Sequence, residues 1–240
     1  NNQPSARKKT YYISLAILAG MFFIFGFVSW VNSILIPYFR ISCELTHFES
    51  YFVAFAFYIA YFVMAIPSGI LLKKVGFKKG IMYGFMLTAL GAFIFVPAAL
   101  ARQFEIFLIG LFSIGTGLAI LQTAANPYVT VLGAPETAPR RLNLAQSFNG
   151  LGAFIAAMFL SKLILSGTHY TRETLPVDYP GGWQAYIQLE TDAMKLPYLI
   201  LALLLLAIAV VFVFSKLPKI GDEGAEPASG KKEKLIDFDV

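Results

Sequence analysis

The sequence is poor in charged residues and nearly lacks cysteine. Only 14% of its 240 residues are charged, whereas a soluble domain carries roughly 25%. The apolar fraction is 58%, so the chain has too little charge to cover a surface that faces water. Its single cysteine, Cys43, allows no disulfide within the chain and says nothing about the redox compartment. The composition therefore indicates a membrane protein.

The net charge of +5 does not indicate a partner such as nucleic acid. The lysines and arginines cluster in short segments between apolar runs, as the topology of a membrane protein places them. We therefore expect membrane lipid as the surroundings, no nucleic-acid partner, and a multi-pass location in the plasma membrane, which is the inner membrane of a bacterium.

Groups typical of a catalytic site are also missing from the apolar runs. Both histidines, His47 and His169, fall between the runs, and no acid pair, nucleophile with a base, or set of metal ligands lies within one. The sequence predicts that the protein is not an enzyme, with no catalytic residue and no metal.

Six apolar stretches are long enough to cross the hydrocarbon core, which takes about 20 residues of helix. They lack two-residue alternation, which argues against a barrel, and in lipid a helix pairs its own backbone groups. The predicted fold is an all-α integral membrane protein with six transmembrane helices. The stretches are Tyr12–Tyr38, Ser50–Leu72, Gly80–Ala101, Phe104–Val129, Leu144–Leu165 and Leu196–Phe214.

The distribution of basic residues predicts an orientation with both ends in the cytoplasm. We expect a cytoplasmic N-terminal segment (1–10), a six-helix bundle (11–217) and a cytoplasmic linker (218–240) that leads to a missing second half. A long outer loop is expected from Ser166 to Met194. The outside would keep only Arg40, Arg102, Arg172 and Lys195, with Lys162 near the outer end of the fifth helix. The inside would hold Arg7, Lys8, Lys9, Lys73, Lys74, Lys78, Lys79, Arg140, Arg141, Lys216, Lys219, Lys231, Lys232 and Lys234.

Uncharged polar side chains interrupt three of the predicted helices. An unpaired amide in an apolar environment costs about 1–3 kcal/mol, so these side chains need partners or water. They can join helices by hydrogen bonds, or they can line a cavity for a neutral polyhydroxyl solute such as a sugar, because amides both donate and accept. We expect substrate binding at Gln122, Asn126, Gln146 and Asn149, and coupling or cavity positions at Asn32 and Ser33.

The sequence around these residues resembles a known family. The loop from Gly69 to Lys79 resembles the loop between helices two and three of the major facilitator superfamily, although Lys73 replaces its usual acidic residue. The stretches LQTAANPYVTVLG (Leu121–Gly133) and RLNLAQSFNGLGA (Arg141–Ala153) are similar to the fucose permease branch of sugar:cation symporters. The resemblance implies a conformational-switch loop at Gly69, Lys73, Gly76 and Lys78.

The resemblance also implies an architecture and a mechanism. The fold would be the N-terminal bundle of the family, which is a three-plus-three inverted repeat. In agreement with such a repeat, the first and the fourth helix each end in polar residues followed by a Pro-Tyr pair, at Pro37-Tyr38 and Pro127-Tyr128. A C-terminal half with six helices would be the partner. Alternating access would move a fucose-like or other hexose bound between the halves.

Two departures from the family leave the coupling ion open. The resemblance matches Gln146 and Asn149 to sugar-contacting amides, but Gln122 and Ser33 stand where proton-linked members carry acids. A carboxylate can exchange a proton during transport, whereas these side chains cannot. The coupling ion is H⁺, Na⁺ or none, and no other cofactor is expected. Cation-coupled symport is the expectation; the alternatives are an uncoupled uniporter and a non-transporting sensor or scaffold.

Overall fold

The computed structural model describes the backbone of residues 3–164, 170 and 172–214. Within these ranges it describes the side chains outside 3–10, 34–42, 47, 159–164, 194 and 211–214. The expected linker 218–240 and Lys162 therefore lie outside the described part. The described chain is helical: α1 (Gln3–Ser42), α2 (His47–Val75), α3 (Phe77–Ala101), α4 (Phe104–Val131), a short 3₁₀ helix (Pro135–Thr137), α5 (Ala138–Ile164) and α6 (Gly182–Phe214).

Five of the helices are long and apolar enough to cross a membrane. These spans are Tyr11–Ser33, Phe48–Val75, Phe77–Ala101, Phe104–Val131 and Gly182–Val210. The helical, membrane-spanning class predicted from composition is thus confirmed. Helix α5 occupies the predicted fifth position but is not among the five, since it opens with polar residues and its last side chains lie outside the described part.

Helix α6 begins much earlier than its apolar run predicts. The prediction of a loop from Ser166 to Met194 is wrong for its second part, because α6 already begins at Gly182. The early turns are amphipathic: Tyr186 and Ile187 are buried, while Gln184 and Gln188 are exposed. Hydropathy alone reveals the lipid-exposed part of a helix and misses such a polar-faced beginning.

Two hydrogen bonds between side chains connect the first turn of α6 to the α1–α2 turn and to the end of α3. The indole Nε1 of Trp183 donates to the carboxylate of Glu44 at 2.7 Å. Arg102, at the end of α3, donates to the amide oxygen of Gln184 at 3.3 Å. The α1–α2 turn, the α3–α4 turn and the start of α6 therefore lie at one end of the bundle.

The connection between α2 and α3 is a single residue, Gly76. Its φ of +79° is costly for a residue with a β-carbon, and its N–H donates to the carbonyl of Leu72 at 2.8 Å. The expected loop from Gly69 to Lys79 is therefore helical except at Gly76. Gly69 lies inside α2 and makes no part of the turn.

The closest helix pairs are α3–α4, α1–α5, α3–α6 and α2–α4. Between α1 and α5 the backbones touch, because a β-carbon at Gly26 would collide with the carbonyl of Asn149, and one at Gly152 would collide with that of Phe23. Close approach at small residues is the usual way in which membrane helices pack. Helix α2 is the span with the smallest buried share.

Candidate functional site

The predicted amides of α4 lie on its face toward α2. Nε2 of half-buried Gln122 donates to the hydroxyl of Tyr61, on α2, at 3.3 Å. One turn further, Asn126 is half-buried, and its Oδ1 is buried without a hydrogen-bond partner. An unpaired buried acceptor is costly, which marks this oxygen as a polar atom without a hydrogen-bond donor in the described part of the bundle.

The predicted amides of α5 differ in exposure. Gln146 is exposed and Asn149 is half-buried, and the backbone of Asn149 packs against Gly26 of α1. Asn143 and Ser147, which precede and follow Gln146, are exposed as well. A polar strip on a membrane helix is unfavourable in lipid, and such strips face a bundle interior or a water-filled cavity.

On α1 the two predicted positions behave differently. Asn32 is 3% exposed; its Nδ2 donates to the carbonyl of Val28, and its Oδ1 accepts from the hydroxyl of Tyr198 at 2.9 Å. The Oδ1 bond joins α1 to α6, while the Nδ2 bond stays within α1, so both sides of the amide are satisfied. Ser33 is exposed, with its hydroxyl donating to the carbonyl of Ser29. Of this pair, Ser33 is the exposed position.

The three helices that carry these residues contact one another. Helix α1 touches both α4 and α5, and α4 touches α5. The predicted polar positions therefore belong to one neighbourhood of the bundle, although Asn32 points to α6. The switch-loop residues lie apart from them: Lys73 in the last turn of α2, Gly76 at the junction and Lys78 in the first turn of α3.

Tyr61 is a residue that the sequence reasoning missed. It falls in the apolar run YFVMAIPSG, where an aromatic side chain is expected against lipid or the core. Its hydroxyl is the partner of Gln122, which lies 61 positions away. No local pattern announces a partner at that distance.

Sequence reasoning counted Arg141 among the cytoplasmic basic residues and did not predict its burial. It is 3% exposed, and its guanidinium closes the corner between α4 and α5. Its acceptors are the carbonyls of Val129, Thr130, Gly133 and Ala134 and the hydroxyl of Thr137.

One acidic side chain, Glu190, is buried within a membrane span. This residue is 7% exposed and lies in α6, within the span Gly182–Val210. Sequence reasoning missed it because the predicted helix started at Leu196. Its neighbour Tyr186 shares a hydrogen bond with it.

Chemically, the site is a set of neutral donors and acceptors. Among the described residues no group of three or more His, Cys, Asp or Glu side chains could hold a metal ion. Amides and hydroxyls suit the hydroxyl groups of a neutral, polar ligand.

A bundle of membrane-spanning helices with uncharged polar faces defines a multi-pass membrane protein of the transporter class. The profile of the Major Facilitator Superfamily matches residues 18–237. The chain belongs to this family of transporters, so it is not an enzyme, and it is a multi-pass protein of the plasma membrane.

Two curated relatives have similar sequences. The glucose/galactose transporter of Brucella abortus (biovar 1, strain 9-941) is 40% identical over 230 residues, which cover 95% of this chain and 52% of that protein. The L-fucose-proton symporter of Escherichia coli (strain K12) is 39% identical over 228 residues, covering 95% and 52%. The chain thus spans about half the length of the curated relatives it matches.

A solved structure has the same fold. The crystal structure of the transporter FucP in the outward conformation is 41% identical, with a TM-score of 0.77 over 87% of this chain and 51% of that one. The predicted resemblance to the fucose permease branch is confirmed by these matches.

Proposed function

We propose that the chain is the N-terminal half of a transporter for a fucose-like or other hexose that works by alternating access. The exposed amide of Gln146 carries the proposal, since it lies on a membrane helix beside Asn149. The unpartnered Oδ1 of Asn126 adds an acceptor on the neighbouring helix. Together they supply neutral groups for hydroxyls, as sugar transport requires, and the names of the relatives agree with such a substrate.

We further propose that a second bundle of six helices covers this face. The half-length match to the relatives supports it, as do the exposed polar strip of α5 and the large exposed surface of α2. In the proposed architecture α5 also crosses the membrane and brings the number of spans to six, and residues 218–240 lead to the second half. The packing of α1 with α5 and of α2 with α4 agrees with a three-plus-three inverted repeat, which exchanges these pairs.

The proposed orientation places both chain ends in the cytoplasm. In its support, the α2–α3 turn carries four exposed lysines, whereas Glu44 and Glu105 lie at the end where α6 begins. Positive residues favour the cytoplasmic side.

Coupling to H⁺ or Na⁺ is proposed for the full-length protein. Ser33 and Gln122 cannot titrate, so a proton would need a group outside these two positions, and Na⁺ would need oxygen ligands. An uncoupled uniporter is distinguished by uptake that neither depends on Na⁺ nor changes the pH of the vesicle.

The experiment is labelled fucose uptake into vesicles that hold the full-length protein, in competition with glucose, galactose and N-acetylated amino sugars. Gln146→Ala and Asn149→Ala should each raise the half-saturating sugar concentration about tenfold, because each removes hydrogen bonds to the ligand. Gln188→Ala is the matched control, since this exposed amide donates within its own helix, to Asp192 at 3.0 Å.

Two outcomes would contradict the proposal. Equal losses of folded protein in both variants, with unchanged sugar affinity in what remains, would assign these amides to packing. Sugar binding without uptake in the wild type would point to a sensor.

A further inference from the structure

The hydroxyl of Tyr61 connects three helices beside the proposed sugar-binding residues. It accepts a hydrogen bond from Nε2 of Gln122, on α4, at 3.3 Å. It shares a second hydrogen bond with the side chain of Ser29, on α1. A phenolic oxygen carries two acceptor positions and one proton, so most of its bonding capacity is used within the bundle.

The ring of Tyr61 is held in place by the close packing of α2 against α4. One turn before Tyr61 the two backbones touch, because a β-carbon at Gly115 would come within 2.5 Å of the carbonyl oxygen of Phe57. The rings of Phe57 and Tyr61 meet edge to face, with centroids 5.7 Å apart, which is a favoured geometry. The hydroxyl therefore has little freedom to move away from Gln122.

The bond to Tyr61 determines which end of the Gln122 amide is left for a ligand. A side-chain amide that turns freely offers either a donor or an acceptor. Because Nε2 donates to the hydroxyl of Tyr61, Oε1 is the end that remains. In the described part of the chain Oε1 has no hydrogen-bond donor and, unlike Oδ1 of Asn126, it is not buried. Position 122 thus presents an acceptor.

We propose that Tyr61 is a positioning residue that sets the specificity of the sugar site. It holds Gln122 with Oε1 toward the ligand, so this position accepts a hydrogen bond from a sugar hydroxyl group and donates none. A ligand without a hydroxyl hydrogen at this point leaves the amide oxygen unpaired, which should weaken binding about tenfold. The inference rests on the proposed hexose site and adds to it the direction of one hydrogen bond.

The test uses sugar analogues in which one hydroxyl group at a time is replaced by hydrogen or by fluorine. Fluorine accepts a weak hydrogen bond and cannot donate one. The analogues compete with the uptake of the parent sugar, which is the best bound of labelled fucose, galactose and glucose, into vesicles that hold the full-length protein. Gln122→Leu identifies the hydroxyl group bound at position 122, because only there should this variant lose the preference for the parent sugar over the deoxy analogue.

At that hydroxyl group the wild type should bind the deoxy and fluoro analogues equally, each about tenfold more weakly than the parent sugar. In Tyr61→Phe the amide is free to turn and to offer Nε2 to the ligand. The fluoro analogue should then become the better competitor of the two by about threefold. A loss of packing alone would lower the uptake of every sugar and leave the order of the analogues unchanged.

Tyr58→Phe is the matched control on the same helix. Tyr58 is 62% exposed, and its ring also contacts that of Phe57 edge to face, with centroids 5.3 Å apart. Removal of its hydroxyl should leave the order of the analogues as in the wild type.

Two results would overturn the inference and leave the proposed function standing. One is a fluoro analogue that the wild type binds better than the deoxy analogue at the identified hydroxyl group, or an order that is the same in the wild type and in Tyr61→Phe. The other is that Gln122→Leu loses its preference at no hydroxyl group, which would place Gln122 away from the sugar. If the wild type took up none of the three labelled sugars, the proposed function itself would fall, and this inference with it.

Discussion

The guanidinium of Arg141 donates from Nε to the backbone carbonyl of Val129 at 3.0 Å. Val129 lies in the last turn of α4, where carbonyl groups have no partner within the helix. The same guanidinium reaches the carbonyl of Thr130 at 2.7 Å. One side chain at the start of α5 therefore caps the end of α4, and it fixes the angle between the two helices that carry the proposed sugar-binding amides.

We predict that Arg141→Leu destabilises the protein by about 2–5 kcal/mol, because buried carbonyl groups lose a charged donor. The neighbour Arg140 is exposed, so Arg140→Leu should change stability by less than about 0.5 kcal/mol. Thermal unfolding of both variants in the same detergent measures the difference. Equal melting temperatures would mean that the bonds of Arg141 contribute nothing net.

A second prediction concerns the junction of α1 and α6. Tyr198→Phe removes the donor to Oδ1 of Asn32 and leaves the buried oxygen unpaired, which should cost about 1–2 kcal/mol. The stacking of the ring on Phe95, with centroids 3.8 Å apart, is kept in this variant. If Asn32 serves packing alone, Tyr198→Phe should lower the melting temperature and leave sugar affinity unchanged. A matching fall in affinity would instead assign Asn32 to the sugar site.

A third prediction tests the close contact of α1 with α5. Gly26→Ala places a methyl group against the carbonyl of Asn149, and overpacking of this kind costs about 1–3 kcal/mol. A β-carbon at Gly20, on the same helix, meets nothing within 4 Å, so Gly20→Ala should be neutral or stabilise by about 0.5–1 kcal/mol. Thermal unfolding compares them, and equal stability of the two variants would show that α1 and α5 can separate without cost.

The sequence was sufficient for the number and order of the helices because hydrocarbon sets a simple requirement of length and apolar composition, but it missed the early start of α6. The sequence was insufficient to predict which polar side chains form hydrogen bonds with each other. Asn32 and Tyr198 are 166 positions apart, and a tyrosine beside a proline in an apolar run gives no sign of what its hydroxyl meets.

For the basic side chains, too, the sequence predicts position along the chain but not the tertiary contacts. The lysines of the α2–α3 turn are exposed, as the sequence predicts, whereas Arg141 looks identical to Arg140 in the sequence and is buried. Which of two adjacent arginines turns inward depends on the corner that α4 and α5 form, and this is a tertiary property.

A fourth prediction uses the single cysteine. Cys43 lies between the first two spans, and burial raises its pKa from 9.0 to about 11, with Arg102 lowering it and Glu105 raising it to a lesser extent. Only the thiolate reacts with maleimide, so at neutral pH alkylation should be about 100-fold slower than for an unshifted thiol. The rate should rise with pH up to the raised pKa. The control is Val177→Cys in a Cys43→Ala background, since Val177 is fully exposed; similar rates at the two positions would contradict the prediction.

The last prediction introduces a carboxylate at Gln122, the position where the resemblance implies an acid in proton-linked members of the family. A membrane-embedded carboxylate can gain and lose a proton as its surroundings change between the inward and outward states, whereas the amide cannot. In Gln122→Glu, uptake should therefore become dependent on pH between about 5.5 and 8, with acid outside favouring uptake. Tyr61→Phe in the same background should shift that profile, because the hydroxyl of Tyr61 is the partner of this position. Gln188→Glu, at an exposed position, should leave the profile as in the wild type. If the uptake of Gln122→Glu did not depend on pH, the side chain at this position would lie outside the path of the proton. Its hydrogen bond to Tyr61 would then serve only the packing of α2 against α4.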